Sequence, residues 1–529
     1  MQDLARPVER DLETLGAAKT AWAGLSIELK IALLHTLKRN VYNVAHEWTA
    51  AACEAKGLDL NSPLAGEEWI SGPWAVLYAI ERYIRTLDEI DEYGTPRLRA
   101  VREREGRTVV EVFPNDLYDR LLLTGLRAEV WMQPGVTPEQ TRERAGSFYR
   151  KPHAGRVALV LGAGNISSIA PLDVLYKLIA GGCVCMVKMN PVNAYLQPIF
   201  ERAFEPFVQA GFVRFASGGA ETGAYLCGHR AIDEIHVTGS EATHRAIVRE
   251  APGKTITSEL GNVSPTIVVP GSWSAADIRY QAEHIATQKA HNAGFNCIAS
   301  QVAIVRKGWE HAAALRAEVQ NVLRAMEPRP EYYPGAAQRR AELAGEHAQM
   351  RTIVDVGADD YAPLFEREAF CGVLAWLELP CEEHDFLDEA VRFANERLSG
   401  TLGANIIVHP KTARAHPADL KRAIAGLRYG CVGVNAWTGT GYFICETPWG
   451  AYPGHTLRSP GSGIGVVHNA RLLEDTEKSV VYAPFRTFPK PAWFVTNENA
   501  GAIGRALCTF EMERSPGAFL RVAAQALKG

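Results

Sequence analysis

The chain has 529 residues, 47% of them hydrophobic and 22% charged, with a net charge of −4. That length accommodates two or three domains, and the near-neutral balance argues against a nucleic acid or a membrane surface as partner. The opening stretch MQDLARPVERDLETLG has no apolar core and does not read as a secretory signal, so the ten cysteines are expected as reduced thiols in a cytoplasm.

Apolar residues at helical spacing predict helix over 12–60, ended by Gly57, and again over 65–103 with Trp69, Trp74, Leu77 and Ile80 facing inward. Thr108 to Phe113 and Ala128 to Met132 read as strands, and the polar stretch 137–148 as surface. From Arg156 the chain alternates. Strands are expected at 156–161, 183–188, 213–216, 234–238 and 266–269, with helices at 171–180 and 197–210. The longest apolar stretch, Val157 to Val187, is interrupted by Asn165, Asp173 and Lys177. A membrane span needs about 20 predominantly apolar residues, so this segment reads as buried α/β core. A second block repeats the pattern, with helices at 276–291 and 386–395 and strands at 302–306 and 402–408. Such alternation predicts an α/β fold of two doubly wound, Rossmann-like domains around parallel sheets. After residue 470 regular alternation ends. VVYAPFRTFPKPAWFV is rich in proline and aromatics, Trp493 and Phe494 in it read as packing residues, and a helical tail follows from Ala500.

Four segments carry chemistry. His291-Asn-Ala-Gly-Phe-Asn-Cys297 sets a cysteine just past a glycine turn at a helix end, where a thiolate can attack a carbonyl. Ser258-Glu-Leu-Gly-Asn262 offers a carboxylate at a turn after a strand, a general-base arrangement. Gly162-Ala-Gly-Asn165 follows a strand but is not a complete G-x-G-x-x-G phosphate loop. Val237-Thr-Gly-Ser240 runs into a helix whose start can hold a phosphate. Taken singly, a cysteine is most often buried and a loop glutamate most often solvated. Cys183 and Cys185 point to one face of an apolar strand and read as core, with no metal site expected. His236 and His291 read as structural histidines.

In this order and at this spacing the segments resemble the aldehyde dehydrogenase superfamily, from about residue 12 to about residue 456. SELGNVSP resembles its glutamate motif, with Asn262 and Val263 as departures, and NAGFNC its cysteine motif, with Phe295 replacing glutamine. Glu368-Ala-Phe370 resembles its nicotinamide-riboside element, and Glu446-Thr-Pro-Trp-Gly450 its late turn. The resemblance implies Cys297 as nucleophile, Asn165 as oxyanion donor and Glu259 as base for the water that hydrolyses a thioester. It implies Lys188, Gly219, Gly239, Ser240, Glu368 and Phe370 on an NAD or NADP cofactor. Phe295, Trp437 and Trp449, with Tyr442 and Phe443, are expected near the substrate, which favours a hydrophobic or aromatic aldehyde. The domains implied are cofactor-binding (1–106 and 151–262) and catalytic (263–465). A small β bridging or oligomerisation region, together with a C-terminal extension, would take 107–150 and 466–529.

Glu259 favours hydrolysis over acyl transfer to coenzyme A, and the retained site residues count against a non-catalytic binding protein. At Lys188-Met-Asn190-Pro191 the family's ribose carboxylate is missing, which leaves NADP open beside NAD, with Asn190 or Asn193 as candidate ribose partners. His244 stands where the family's helix has a glycine. The resemblance also implies a homodimer or homotetramer through a hairpin in 107–150 that extends a neighbour's sheet. The tail is expected to form extra surface or oligomer contacts.

Overall fold

The computed structural model describes residues 2–359 and 363–529, with side chains from residue 7 onward. Two large sheets organise it. The first has six strands in the order Gly463–Ile464, Thr255–Glu259, Glu234–Thr238, Arg156–Leu161, Cys183–Lys188, Val213–Ala216. All its pairings are parallel except that of the short Gly463–Ile464. The second has ten strands, of which Thr476–Tyr482, Cys431–Val434, Gly403–Ile407, Ser264–Val268, Ser300–Arg306, Val373–Leu379 and Thr352–Val356 run parallel. Their central strands are buried on both faces, as near-continuous apolar runs such as Arg156–Leu161 and Cys183–Lys188 require. The α/β reading with two parallel sheets therefore stands. Among the described residues no helix is long and apolar enough to cross a membrane.

Several elements differ from the sequence expectation. The helix expected over 12–60 is two helices, Gln2–Ala23 and Ile27–Lys56, because the Ser26 side chain caps the second by accepting from the Leu29 N–H. The helix expected over 65–103 ends at Tyr93, where Gly94 adopts a left-handed cap (φ 74°). Residues Ala100–Arg104 beyond it form a strand. Within that region Ile70–Trp74 is a π-turn containing Pro73. Gly72 there lies so close to Ser167 that a Cβ would meet its Oγ at 3.0 Å.

The hairpin expected within 107–150 forms the outer part of this chain's own sheet. Arg127–Met132 pairs antiparallel with Arg107–Phe113 on one edge and with Thr476–Tyr482 on the other. Both of its hydrogen-bonding edges are thus used within the chain, and Ala100–Arg104 closes the sheet with exposed Arg102 and Glu103. Charged side chains on an edge strand oppose strand addition.

The tail also packs on its own chain. Helices Ala500–Glu513 and Pro516–Ala526 pack together, and the first lies on the helix Ala65–Trp69. The two backbones approach so closely that a Cβ on Gly66 would meet Ala500 Cβ at 2.3 Å. Phe494, read as a packing residue, is buried and stacks on His284. Gly66→Ala should overpack this crossing and cost about 1–3 kcal/mol, read as a lowered urea midpoint. An unchanged midpoint would contradict the docking of the tail.

Candidate active site

Cys297 lies in the turn between the helix Ala275–Ala290 and the strand Ser300–Arg306. The turn begins with three consecutive left-handed residues, Asn292 (φ 53°), Ala293 (φ 55°) and Gly294 (φ 85°). Asparagine and glycine tolerate that region, whereas for alanine it costs about 1–2 kcal/mol. Gly294 is required twice over, by its φ and because a Cβ would meet the Cys371 carbonyl oxygen at 2.6 Å.

The strained turn is held from behind by buried side chains. The Asn292 N–H donates to Glu67 Oε2 at 2.7 Å, and Arg329 binds Glu67 through Nε and Nη2. Asn292 Oδ1 accepts from Lys56 Nζ and from Tyr332 Oη, each at 3.0 Å, while its Nδ2 donates to the Asn165 carbonyl at 3.0 Å. Lys56 Nζ is paired with Glu68 Oε1 at 2.6 Å. Burial disfavours the Lys56 ammonium, but the Glu68 carboxylate outweighs it and holds the lysine above its usual value. Burial likewise opposes ionised Glu67, and Arg329 and His291 outweigh it. Sequence reading missed these residues. Lys56, Glu67 and Glu68 sit on helices that read as packing, and only their place on the inward stripe (Lys56 one turn past buried Ala52) signalled a role.

Cys297 Sγ donates to Glu259 Oε1 at 3.2 Å. Glu259 ends the strand Thr255–Glu259, whose backbone position is fixed by Gly239 N–H on its carbonyl. Burial pushes the thiol well above its usual value, and the Glu259 and Glu368 carboxylates add to that. Burial also raises Glu259 to about 7, with Asp173 adding to the rise and the Cys297 hydrogen bond opposing it. At rest the pair therefore holds a protonated thiol beside a carboxylate whose affinity for a proton suits transfer near neutrality. Asn165 donates one Nδ2 proton to the Phe295 carbonyl at 2.8 Å, which leaves the second amide proton for another acceptor.

Two cavities meet at these residues. The larger, about 820 Å³, is lined by all six residues expected on the cofactor, Lys188, Gly219, Gly239, Ser240, Glu368 and Phe370. Two helices start on it: Gly219 precedes Ala220–Gly228, and Ser240 caps Glu241–Glu250 by accepting from the Thr243 N–H. Their N-termini and Lys188 suit a diphosphate. Burial lowers the Lys188 pKa. Burial raises Glu368 to about 7, and this carboxylate lies so close to Gly261 that a Cβ there would meet Oε2 at 2.4 Å. Arg339, which no motif signalled, also lines this cavity and donates to the Ala369 and Phe370 carbonyls. Asn190 lines it too, its Oδ1 taken by the Val192 N–H, whereas Asn193 turns away to the Ala163 carbonyl. His244 does not touch this space. It is buried with Nε2 against the Leu457 carbonyl.

The smaller, inner cavity, about 40 Å³, is lined by Trp437, Tyr442, Phe443 and Trp449. Phe295 is not among its lining residues. Its ring is fully buried against Tyr332, Tyr333 and Phe370, because the left-handed turn points residue 295 away from the thiol and into the protein. His291, read as structural, does line it, and neither ring nitrogen has a hydrogen-bond partner. Asn165, Glu259 and Cys297 line both cavities.

Lys56→Met should cost about 3–5 kcal/mol by leaving Glu68 buried and unpaired, whereas Lys56→Met with Glu68→Leu should recover most of that loss. Urea denaturation of both variants checks this. Equal stabilities for the single and double variants would contradict the pairing.

Residues 127–361 match the aldehyde dehydrogenase family model. N-succinylglutamate 5-semialdehyde dehydrogenase of Sphingopyxis alaskensis is 32% identical over 222 residues, 41% of this chain and 44% of that protein. D-glyceraldehyde dehydrogenase (NADP(+)) of Thermoplasma acidophilum is 29% identical over 160 residues, 29% of this chain and 31% of that protein. The matches thus span less than half the length of these curated relatives. Solved structures agree over nearly the whole chain in fold. Gamma-glutamyl-gamma-aminobutyraldehyde dehydrogenase of Burkholderia cenocepacia superposes with a TM-score of 0.61 at 21% identity, over 90% of this chain and 89% of its own. An aldehyde dehydrogenase of Bartonella henselae does so with a TM-score of 0.63 at 16% identity, over 90% and 91%. Over residues 127–361 the sequence is similar to the aldehyde dehydrogenase family, and over about nine-tenths of its length the chain shares the fold of these solved structures.

Proposed function

We propose that this protein oxidises an aldehyde to a carboxylic acid with NAD or NADP, through Cys297 as nucleophile and Glu259 as base. The observation that carries the reading is the position of Asn165, Glu259 and Cys297 on both cavities at once. A carbonyl carbon in the inner cavity then meets the thiol on one side and the cofactor space on the other.

Glu259 takes the Sγ proton across the 3.2 Å hydrogen bond as the sulfur attacks the carbonyl carbon. The developing oxyanion is met by the second Nδ2 proton of Asn165 and by the Cys297 N–H, donors of a kind worth about 3–4 kcal/mol each. The larger cavity fits the cofactor: Lys188 and the helix starts at Gly219 and Ser240 would hold its diphosphate, and Glu368 and Phe370 would hold its nicotinamide end. When bound, the nicotinamide supplies the hydride acceptor that turns the thiohemiacetal on Cys297 into a thioester. Glu259 then gives up to solvent the proton it took from Sγ and draws one from water, whose oxygen attacks the thioester carbon; that proton passes to Sγ as the C–S bond breaks and the acid leaves. Asn190 stands in place of a carboxylate, so that position sets no negative charge against a 2′-phosphate, which supports acceptance of NADP beside NAD. The aromatic lining of the inner cavity supports a hydrophobic or aromatic aldehyde.

Cys297→Ala should abolish turnover. Glu259→Gln, which lacks the base of both steps, should release its burst of reduced cofactor, one per site, more slowly than the wild type and then turn over about 10²–10⁴-fold more slowly. Undiminished steady-state turnover in Glu259→Gln would sink the hydrolytic role. The pH dependence has a definite sign. Glu259 works only when deprotonated and its pKa is raised to about 7. The wild-type rate of thioester hydrolysis should therefore fall roughly tenfold per unit as pH drops below that value, and Glu259→Gln should lose that limb.

A further inference from the structure

A second cavity, about 150 Å³, lies behind the inner one. Its walls come from distant parts of the chain, among them Tyr78, Leu122 and Leu126, Tyr280, Trp437, and Phe494, Leu507 and Val522 of the C-terminal segment. One aromatic partition separates the two spaces. Trp437 lines both. Ile70 lines the second and its neighbour Ser71 the inner one. Trp74 on one side meets Phe443 on the other, with ring centroids 6.2 Å apart. The partition is therefore the π-turn Ile70–Trp74 together with residues 435–443.

The far end of the second cavity is open and apolar. Leu121 and Phe488 line it and are 47% and 85% exposed. Leu117 and Leu520, on the helices beside it, are 66% and 65% exposed. Exposed apolar residues gathered around one opening mark a site for an apolar partner or ligand. Inside, two donors have no protein partner, Tyr78 Oη and Trp74 Nε1, although both side chains are buried. Asp119, His284, Lys490 and Glu511 also line the cavity, but its walls are mostly aliphatic and aromatic, and a space of this size so walled holds a benzene-sized group.

We propose that this second cavity receives the distal part of the substrate, so that the protein takes aldehydes in which a ring-sized apolar group is carried on a chain several carbons from the carbonyl. The proposal rests on the dehydrogenase reading above and adds to it a specificity that the C-terminal segment builds. For the chain to pass, the Trp437 ring between the two spaces swings aside; the carbonyl then reaches Cys297 and the ring of the substrate lies between Tyr78, Leu122 and Leu507. An acceptor atom on that distal group would take up the idle Tyr78 and Trp74 donors.

The test separates the two readings. Acetaldehyde and 6-phenylhexanal are compared as substrates, and the unreactive 6-phenylhexan-1-ol is titrated calorimetrically. All three are applied to the wild-type protein and to two variants that fill the second cavity away from Cys297, Leu122→Trp and Ala526→Leu. In the wild type, kcat/KM should be higher for 6-phenylhexanal than for acetaldehyde. Filling the cavity should weaken alcohol binding, and lower kcat/KM for 6-phenylhexanal, by roughly tenfold or more, with acetaldehyde unchanged. Alcohol binding that is lost on filling, in a protein that oxidises neither aldehyde, would uphold the cavity and overturn the dehydrogenase reading. Oxidation of both aldehydes with equal kcat/KM in the wild type would overturn the cavity proposal and leave that reading standing, as would variants that affect both substrates alike.

Discussion

The site depends on the left-handed turn Asn292–Gly294. Three successive residues with positive φ reverse the chain after a sixteen-residue helix, and they bring Cys297 to within 3.2 Å of Glu259 on a strand of the other sheet. Such a turn does not persist unaided, since strained non-glycine residues cost of order 1–3 kcal/mol each. It persists because Asn292 is saturated. Its N–H, Oδ1 and Nδ2 are bound by Glu67, by Lys56 and Tyr332, and to the carbonyl of Asn165. The same hydrogen bonds thus fix the start of the turn that carries Cys297 and the backbone of Asn165. Buried ion pairs are weak contributors to net stability, and their better-attested use is to specify one arrangement. The Lys56–Glu68 and Arg329–Glu67 pairs have that role here, because each anchors an atom of the turn.

The second theme is closure of the chain on itself. The strand Thr476–Tyr482 joins the sheet that carries Cys297 to the hairpin Arg107–Phe113 and Arg127–Met132. The segment after it wraps over the helices Ala65–Trp69 and Ala75–Tyr93 and ends as a helical pair. This covering converts a face beside the π-turn Ile70–Trp74 into an enclosed apolar space. The tail therefore walls the space behind the inner cavity, with no residue of its own on the inner cavity.

Periodicity made the parallel strands legible, because strands buried on both faces leave continuous apolar runs such as Val157–Leu161. The motifs around Cys297, Glu259, Glu368 and Val237–Ser240 were legible because each has an unusual residue type at a turn. What was not legible depends on contacts distant in sequence. Nothing local reveals that Phe295 turns into an aromatic cluster with Tyr332 and Tyr333, 37 and 38 residues later. Nor does it reveal that His244 faces Leu457 rather than the cofactor space. The break at Ser26 was readable as a capping serine, but the apolar spacing on both sides masked it. The pairing partner of Arg127–Met132 could not be read at all, since strand sequence fixes which face is buried and not which edge is met.

The central claim is that carbon from the aldehyde is carried covalently on Cys297 until Glu259 delivers water. Trapping measures this directly. Glu259→Gln protein mixed with aldehyde and NAD or NADP, quenched in acid and digested, should yield by mass spectrometry the peptide containing Cys297 heavier by one acyl group. The Cys297→Ala, Glu259→Gln double variant should yield none. An unmodified Cys297 peptide alongside reduced cofactor, or an acyl group on another residue, would contradict the account.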